Sequence, residues 1–237
     1  MSVDIKTPST WQQYKTLLGK DIRREFRTRE MLTSMGVYAL LVIVVFGAAL
    51  SQTAHQFDIL QMSGGLLWAL IVFTSLLGLN RSFSFEKENG CLESILLVPM
   101  DRSVMFLAKA TSNLLFMLIV EIIVLPLFYF FFLTTTSPEP TWPMIVWPLL
   151  VGTVGMAGIG TLLSTMTVNT RGKDVLLAVL FIPLVYPLLY ACVSATTVVI
   201  AGGDIASFYM NSILLAGAYD VIMILLSWVL YDYVVSA

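Results

Sequence analysis

Residues 82–103 read SFSFEKENGCLESILLVPMDRS, and this polar island decides the fold because of what flanks it. Before it, Leu60–Asn80 is almost wholly apolar, and after it Val104–Leu133 is apolar again. Each flank has at least the roughly 20 residues needed for a helix to cross about 30 Å of hydrocarbon. The island is therefore a connection between two membrane spans. It is ringed by basic residues: Arg81, Lys87, Arg102 and Lys109.

Working outward, further spans are predicted at Met31–Leu50, Met144–Val168, Val175–Ile200 and Asn211–Val235. All 13 Lys and Arg fall at Lys6–Arg29, Arg81–Lys109 and Arg171–Lys173. The alternate gaps, Ser51–Asp58, Thr134–Pro143 and Ala201–Asn211, hold His55, Asp58, Glu139 and Asp204 but no basic residue. Basic residues are retained on the cytoplasmic side of membranes. The pattern predicts an all-α integral membrane protein with six spans and both termini in the cytoplasm. Residues 1–30 form a cytoplasmic arm, 31–237 the transmembrane domain, and 81–103 the largest cytoplasmic loop. Composition agrees, since a chain of 237 residues that is 58% hydrophobic and 12% charged has more apolar surface than a soluble domain can hide. The first apolar run follows a polar leader too long for a cleavable signal and reads as a retained span. The net charge of −2 says little, because the charge is segregated by side. No basic cluster has the interleaved aromatics of a nucleic-acid site. Cys91 is placed in the cytoplasm and Cys192 in the membrane, which excludes a disulfide between them.

In the arm, Pro8-Ser9-Thr10 marks a helix start with a hydroxyl cap. Trp11, Tyr14, Leu17, Leu18, Ile22 and Phe26 then recur at helical spacing, with Lys15, Lys20, Arg23, Arg24 and Arg27 on the other face. The expectation is a basic amphipathic helix lying in the membrane interface through its apolar side. Pro126 in the third span and Pro183 and Pro187 in the fifth remove backbone donors, which predicts kinks or short re-entrant turns. Trp142, Trp147 and Tyr209 suit the outer boundary. Gly152, Gly155, Gly158 and Gly160 in the fourth span read as a packing face. They do not read as a nucleotide loop, because no strand precedes them.

Within the island, Glu86, Lys87 and Glu88 precede Asn89-Gly90, a turn or helix break. Leu92, Ile95 and Leu96 then repeat at helical spacing, Glu93 lies on another face, and Pro99 ends the segment. A short amphipathic helix of this kind lies on lipid or docks into a groove of a soluble partner. The residues alone leave both open.

Glu121 and Asp220 are the charges deepest in the predicted spans, and intramembrane carboxylates default to functional roles. Glu121 either faces a polar pathway or is hydrogen-bonded at a subunit contact. Asp220 is read as structural, since its span can shift outward by a few residues. Lys109, one or two turns into the third span, is expected to snorkel to the interface. His55 is a lone loop histidine, the ligands for a metal site are missing, and no nucleophile–histidine pair is present. Gly19-Lys20-Asp21 and Gly172-Lys173-Asp174 lack the remainder of a phosphate loop, so the chain is not an ATPase.

The pattern Glu86-x-x-x-Gly90-x-Leu92-Glu93-x-x-Leu96-x-x-Pro99, followed by Arg102 and Lys109, resembles the coupling-helix signature of ABC-2 type transporter permeases. The whole chain is similar to one branch, the haem exporter B subunits of cytochrome c maturation (CcmB). The likeness is carried by the length, by Asp21-Ile22-Arg23-Arg24-Glu25-Phe26-Arg27, by Arg171-Gly172 with Leu176-Leu177, and by Pro183-Leu184-x-x-Pro187-Leu188-Leu189. The resemblance implies a permease subunit in a bacterial inner membrane, working as a homodimer, with an ABC ATPase (the A subunit) and the C and D subunits as partners. It implies ATP bound by the partner, haem as cargo, and no cofactor held by this chain. Leu92, Ile95 and Leu96 would fill an apolar groove of the ATPase, and Glu86, Glu93 and Arg102 would sit at its rim, with Gly90 and Pro99 bounding the helix. It leaves open an exporter of another cargo, whether lipid, glycan or drug, and a scaffold through which nothing crosses.

Overall fold

The computed structural model describes residues 9–53, 58–88, 101–134, 142–168, 170–202 and 205–236. The arm is α1 (Thr10–Thr28), and it leads directly into α2 (Glu30–Thr53). The remaining long helices are α3 (Ile59–Glu88), α4 (Arg102–Phe132), α5 (Trp142–Thr167), α6 (Lys173–Ala201) and α7 (Met210–Ser236). A five-residue π-turn, Ile205–Tyr209, runs straight into α7. Six of these helices, α2 to α7, contain spans long and apolar enough to cross a membrane. They are apolar around most of their circumference, as a helix facing lipid on one side and protein on the other must be. Each satisfies its own backbone hydrogen bonds, which is why helices are the form a chain takes in lipid. The chain is an all-α, multi-pass membrane protein.

The bundle is built around α3 and α5. Their spans are 67% and 72% buried, against 17–33% for the other four. Trp68, Leu79, Met156 and Ile159 fill the centre between them, with Phe181, Val185 and Leu188 from α6. Exposed apolar side chains such as Val37, Leu41, Ile122, Val179, Tyr186, Val221 and Leu225 ring the outside, where acyl chains replace water as solvent.

The glycines of α5 work as the sequence indicates. A Cβ at Gly152 would overlap the Trp68 ring, one at Gly155 the Asp220 carboxylate, and one at Gly160 the Leu79 side chain, while at Gly158 it would lie 2.9 Å from Ile224. Bare backbone on this helix is what lets α3, α6 and α7 close on it.

One expectation about the helices needs correction. No re-entrant turn occurs at the prolines: α4 runs on through Pro126, and α6 through Pro183 and Pro187. Pro148 lies inside α5 in the same way. Near Pro187, the Leu184 carbonyl accepts a hydrogen bond from the Tyr219 hydroxyl of α7, which ties α6 to α7. Asp220 is only 5% exposed and sits well inside α7, against Gly155. The Tyr209 hydroxyl donates to the Met144 carbonyl at 2.8 Å and pins the start of α5.

Candidate functional site

The helix break expected at Asn89-Gly90 lies outside the described residues. α3 extends past the membrane span to Glu88, so Glu86 is in helix. Gly90, Leu92, Glu93, Ile95, Leu96 and Pro99 lie outside the described residues, as do Cys91 and His55. The roots of the loop are well defined. Asp101 caps α4 by accepting from the Ser103 amide at 3.0 Å, satisfying an orphan donor of the first turn. Arg102 reaches the end of the last span, 3.4 Å from the Asp232 carboxylate and 3.3 Å from its carbonyl. Both side chains are largely exposed, so this pair contributes little to stability. It does place the loop root, the C-terminal end of α7 and the arm at one end of the bundle.

The arm begins as predicted. Ser9 and Gln12 form a reciprocal capping box, each side chain bonding the other's backbone N–H, which sets the first turn. What the arm buries is not what its amphipathic pattern indicates. Trp11 and Phe26 are 62% and 58% exposed. The most buried side chains are two acids, Asp21 and Glu25. They lie one turn apart in the middle of the apolar arc, in line with Tyr14 and Leu18, and this stripe packs on α4. The basic face stays outward. The apolar edge at Trp11 and Phe26 is left uncovered.

The acids are buried because each has a partner. Lys109 does not snorkel. It is 7% exposed, and its Nζ lies 3.2 Å from Asp21 Oδ2 and donates to the Ser82 carbonyl at 3.2 Å. The Ser112 hydroxyl donates to the same Asp21 oxygen at 3.2 Å, and the half-exposed Lys20 stands 3.5 Å from the other oxygen. Glu25 accepts from the Leu32 amide at 2.9 Å. That amide is in the first turn of α2, where the preceding residue, Arg29, is in the left-handed region (φ 56°) and a side-chain cap is lacking. Glu25 fills the capping role from the previous helix and places negative charge at the positive end of the α2 dipole. Two lighter contacts extend the seam. The Tyr14 hydroxyl donates to Thr111 Oγ1 at 3.2 Å, and the Asp101 amide to Gln13 Oε1 at 3.4 Å.

Four residues further along α4 from Lys109, the polar stripe enters the bundle. Asn113 donates to Thr161 of α5 at 2.9 Å. Eight residues on, Glu121 accepts from Thr153 of α5 at 2.6 Å. The spacing is the same on both helices, as two antiparallel helices rising about 12 Å over eight residues require. Trp68 Nε1 ties α3 to Thr196 of α6 at 3.0 Å. Chemically this is a set of interhelical polar rungs. Glu121 is one of them, deep in the α4–α5 contact and 5% exposed. Pro183 and Pro187 face outward on α6, away from the rungs. Among the described residues, no three His, Cys, Asp or Glu side chains converge as a metal site would require.

Asp21 and Glu25 were legible only as part of a motif. The signal that would have singled them out is an acid at both i and i+4 within an apolar arc, opposite a lone lysine in a span.

The heme exporter protein B of Pseudomonas aeruginosa is 29% identical over 176 residues, which is 74% of this chain and 77% of that protein. The proteins of the same name from Rhodobacter capsulatus (26% over 179 residues, 74% and 78%) and Paracoccus denitrificans (28% over 144 residues, 61% and 65%) are also similar. The CcmB protein family model matches residues 12–231, which takes in the arm with its two buried acids, the loop with both its roots, and all six spans but the last few residues. With the match unbroken from the arm to the last span, the chain belongs to the CcmB family.

Proposed function

We propose that this chain is the membrane subunit of an ATP-driven complex of cytochrome c maturation, where it couples ATP hydrolysis on a partner ATPase to haem export or haem-chaperone release. The family match over residues 12–231 carries this reading. It is supported by relatives that bear the name heme exporter protein B. Haem is substrate here, not a resident cofactor. The chain contains no phosphate loop, so ATP is bound elsewhere, and the long loop is where the partner docks. Leu92, Ile95 and Leu96 enter an apolar groove of the ATPase, with Glu86 and Glu93 at its rim. Arg102 has a second role, since it also ties the loop root to Asp232. The basic residues put this loop, the arm and both termini in the cytoplasm, with the chain in the bacterial inner membrane. Two copies form the functional unit, because one six-span chain with a side-chain-filled centre resembles half of a symmetric transporter. The C and D subunits of the maturation system complete the assembly.

Replacing Leu92 and Leu96 with Asp puts charge into the proposed apolar contact. The ATPase subunit should then be lost from the purified complex, and c-type cytochromes should disappear from haem-stained membranes. If the ATPase co-purified undiminished, the docking assignment would be wrong. If a deletion strain kept normal c-type cytochromes, the maturation role would be wrong.

A further inference from the structure

The buried charges of the arm have no part in the docking contact itself, yet they join the arm to α2 and to the helices on both sides of the loop. Lys109 is rooted on α4, immediately after the loop. Its ammonium touches Asp21 of the arm and the Ser82 carbonyl of α3, immediately before the loop. One cation thus bridges both roots of the loop and the arm. One turn along α1, Glu25 holds the first turn of α2. We infer that Asp21, Lys109 and Glu25 are positioning residues that fasten the arm to both loop roots, so that displacement of the loop is carried through α1 to the first span. This rests on the loop being the ATPase dock, and it adds the route by which the load reaches a helix remote from that dock.

The physical argument is that this contact is stiff. A helix merely resting on lipid would present its apolar residues inward and keep its acids in water. Here the acids are buried and Trp11 and Phe26 are not. A buried ion pair parted from its partner leaves an uncompensated charge in a poor solvent, which is strongly unfavourable. Small displacements of the loop roots therefore drag the arm instead of sliding beneath it. The Tyr14–Thr111 and Gln13–Asp101 bonds hold the same two surfaces in register nearer the arm's start, so the arm moves as one body with the start of α4. The Glu25–Leu32 bond then passes the motion to α2.

The test uses the assembled complex. Asp21→Asn and Lys109→Met, each alone, are expected to lower c-type cytochrome yield by about tenfold or more, while the ATPase subunit still co-purifies and ATP hydrolysis persists. A role confined to folding would instead lower abundance and co-purification together, and that result would overturn the inference. As a second measurement, a short bis-methanethiosulfonate, which each thiol attacks with loss of methanesulfinate, joins Tyr14→Cys to Thr111→Cys in a chain with Cys91→Ser. If the arm travels with α4, the cross-linked complex stays active and rescues Asp21→Asn. Loss of maturation on cross-linking would show that the arm must leave α4, and would also overturn the inference. Failure of the docking reading looks different: the ATPase would be retained by Leu92→Asp/Leu96→Asp.

Discussion

Lys109 shows how a residue's surroundings decide its role. Taken as a point in a hydrophobic run, it should extend toward the interface. Asp21 and the Ser82 carbonyl, 88 and 27 positions away in sequence, hold it inside. Lys109→Met should destabilise the chain by about 2–3 kcal/mol, toward or below the low end of the roughly 3–5 kcal/mol typical of a broken buried pair, because Lys20 remains 3.5 Å from Asp21. The shift is measured as a lowered melting temperature in detergent, and an unchanged melting temperature would argue against the pair. Gly155 offers a second check. A side chain there meets the Asp220 carboxylate and Leu188, so Gly155→Val should reduce folded yield far more than Gly217→Val, where nothing lies within 4 Å of the added Cβ. Equal yields would contradict the close approach. Sequence exposed the glycine face, since a run of small residues in a span has few other uses. It hid the buried acids, because amphipathicity counts every charge as outward-facing and the partners that reverse this lie far along the chain.

At the scale of elements, boundaries were the most legible feature. Five of the six predicted spans fall within helices α2 to α6 to within a residue or so, and the sixth within α7. The arm starts at its hydroxyl cap. Each of these is set by local chemistry: hydropathy or a capping side chain. The polar ties between spans were not legible, because their partners lie far apart in sequence: the Tyr219 hydroxyl of α7 donates to the Leu184 carbonyl of α6. Tyr219→Phe should cost about 0.6–2 kcal/mol, the range for interhelical hydrogen bonds in membranes. Unfolding in mixed micelles measures this, and an unchanged stability would show that the bond contributes nothing.

For the molecule as a whole, hydropathy marks six spans, and the charge asymmetry is the basis of the proposed orientation. The structure brings the arm, the loop roots and the end of α7 together at one end through Lys109–Asp21 and Arg102–Asp232. An ATPase docked at that end would therefore act on several helices at once. All of this requires the loop to face the cytosol. The native thiols provide the probe: Cys192 is buried in α6, which leaves Cys91 in the loop as the reactive site. The decisive measurement is labelling of the unmodified chain with a membrane-impermeant maleimide in right-side-out and in inverted vesicles, with Cys91→Ser as the assignment control. Label at Cys91 in inverted vesicles alone is the expected result. Label at Cys91 in right-side-out vesicles would contradict the topology, and with it the docking loop and the coupling role.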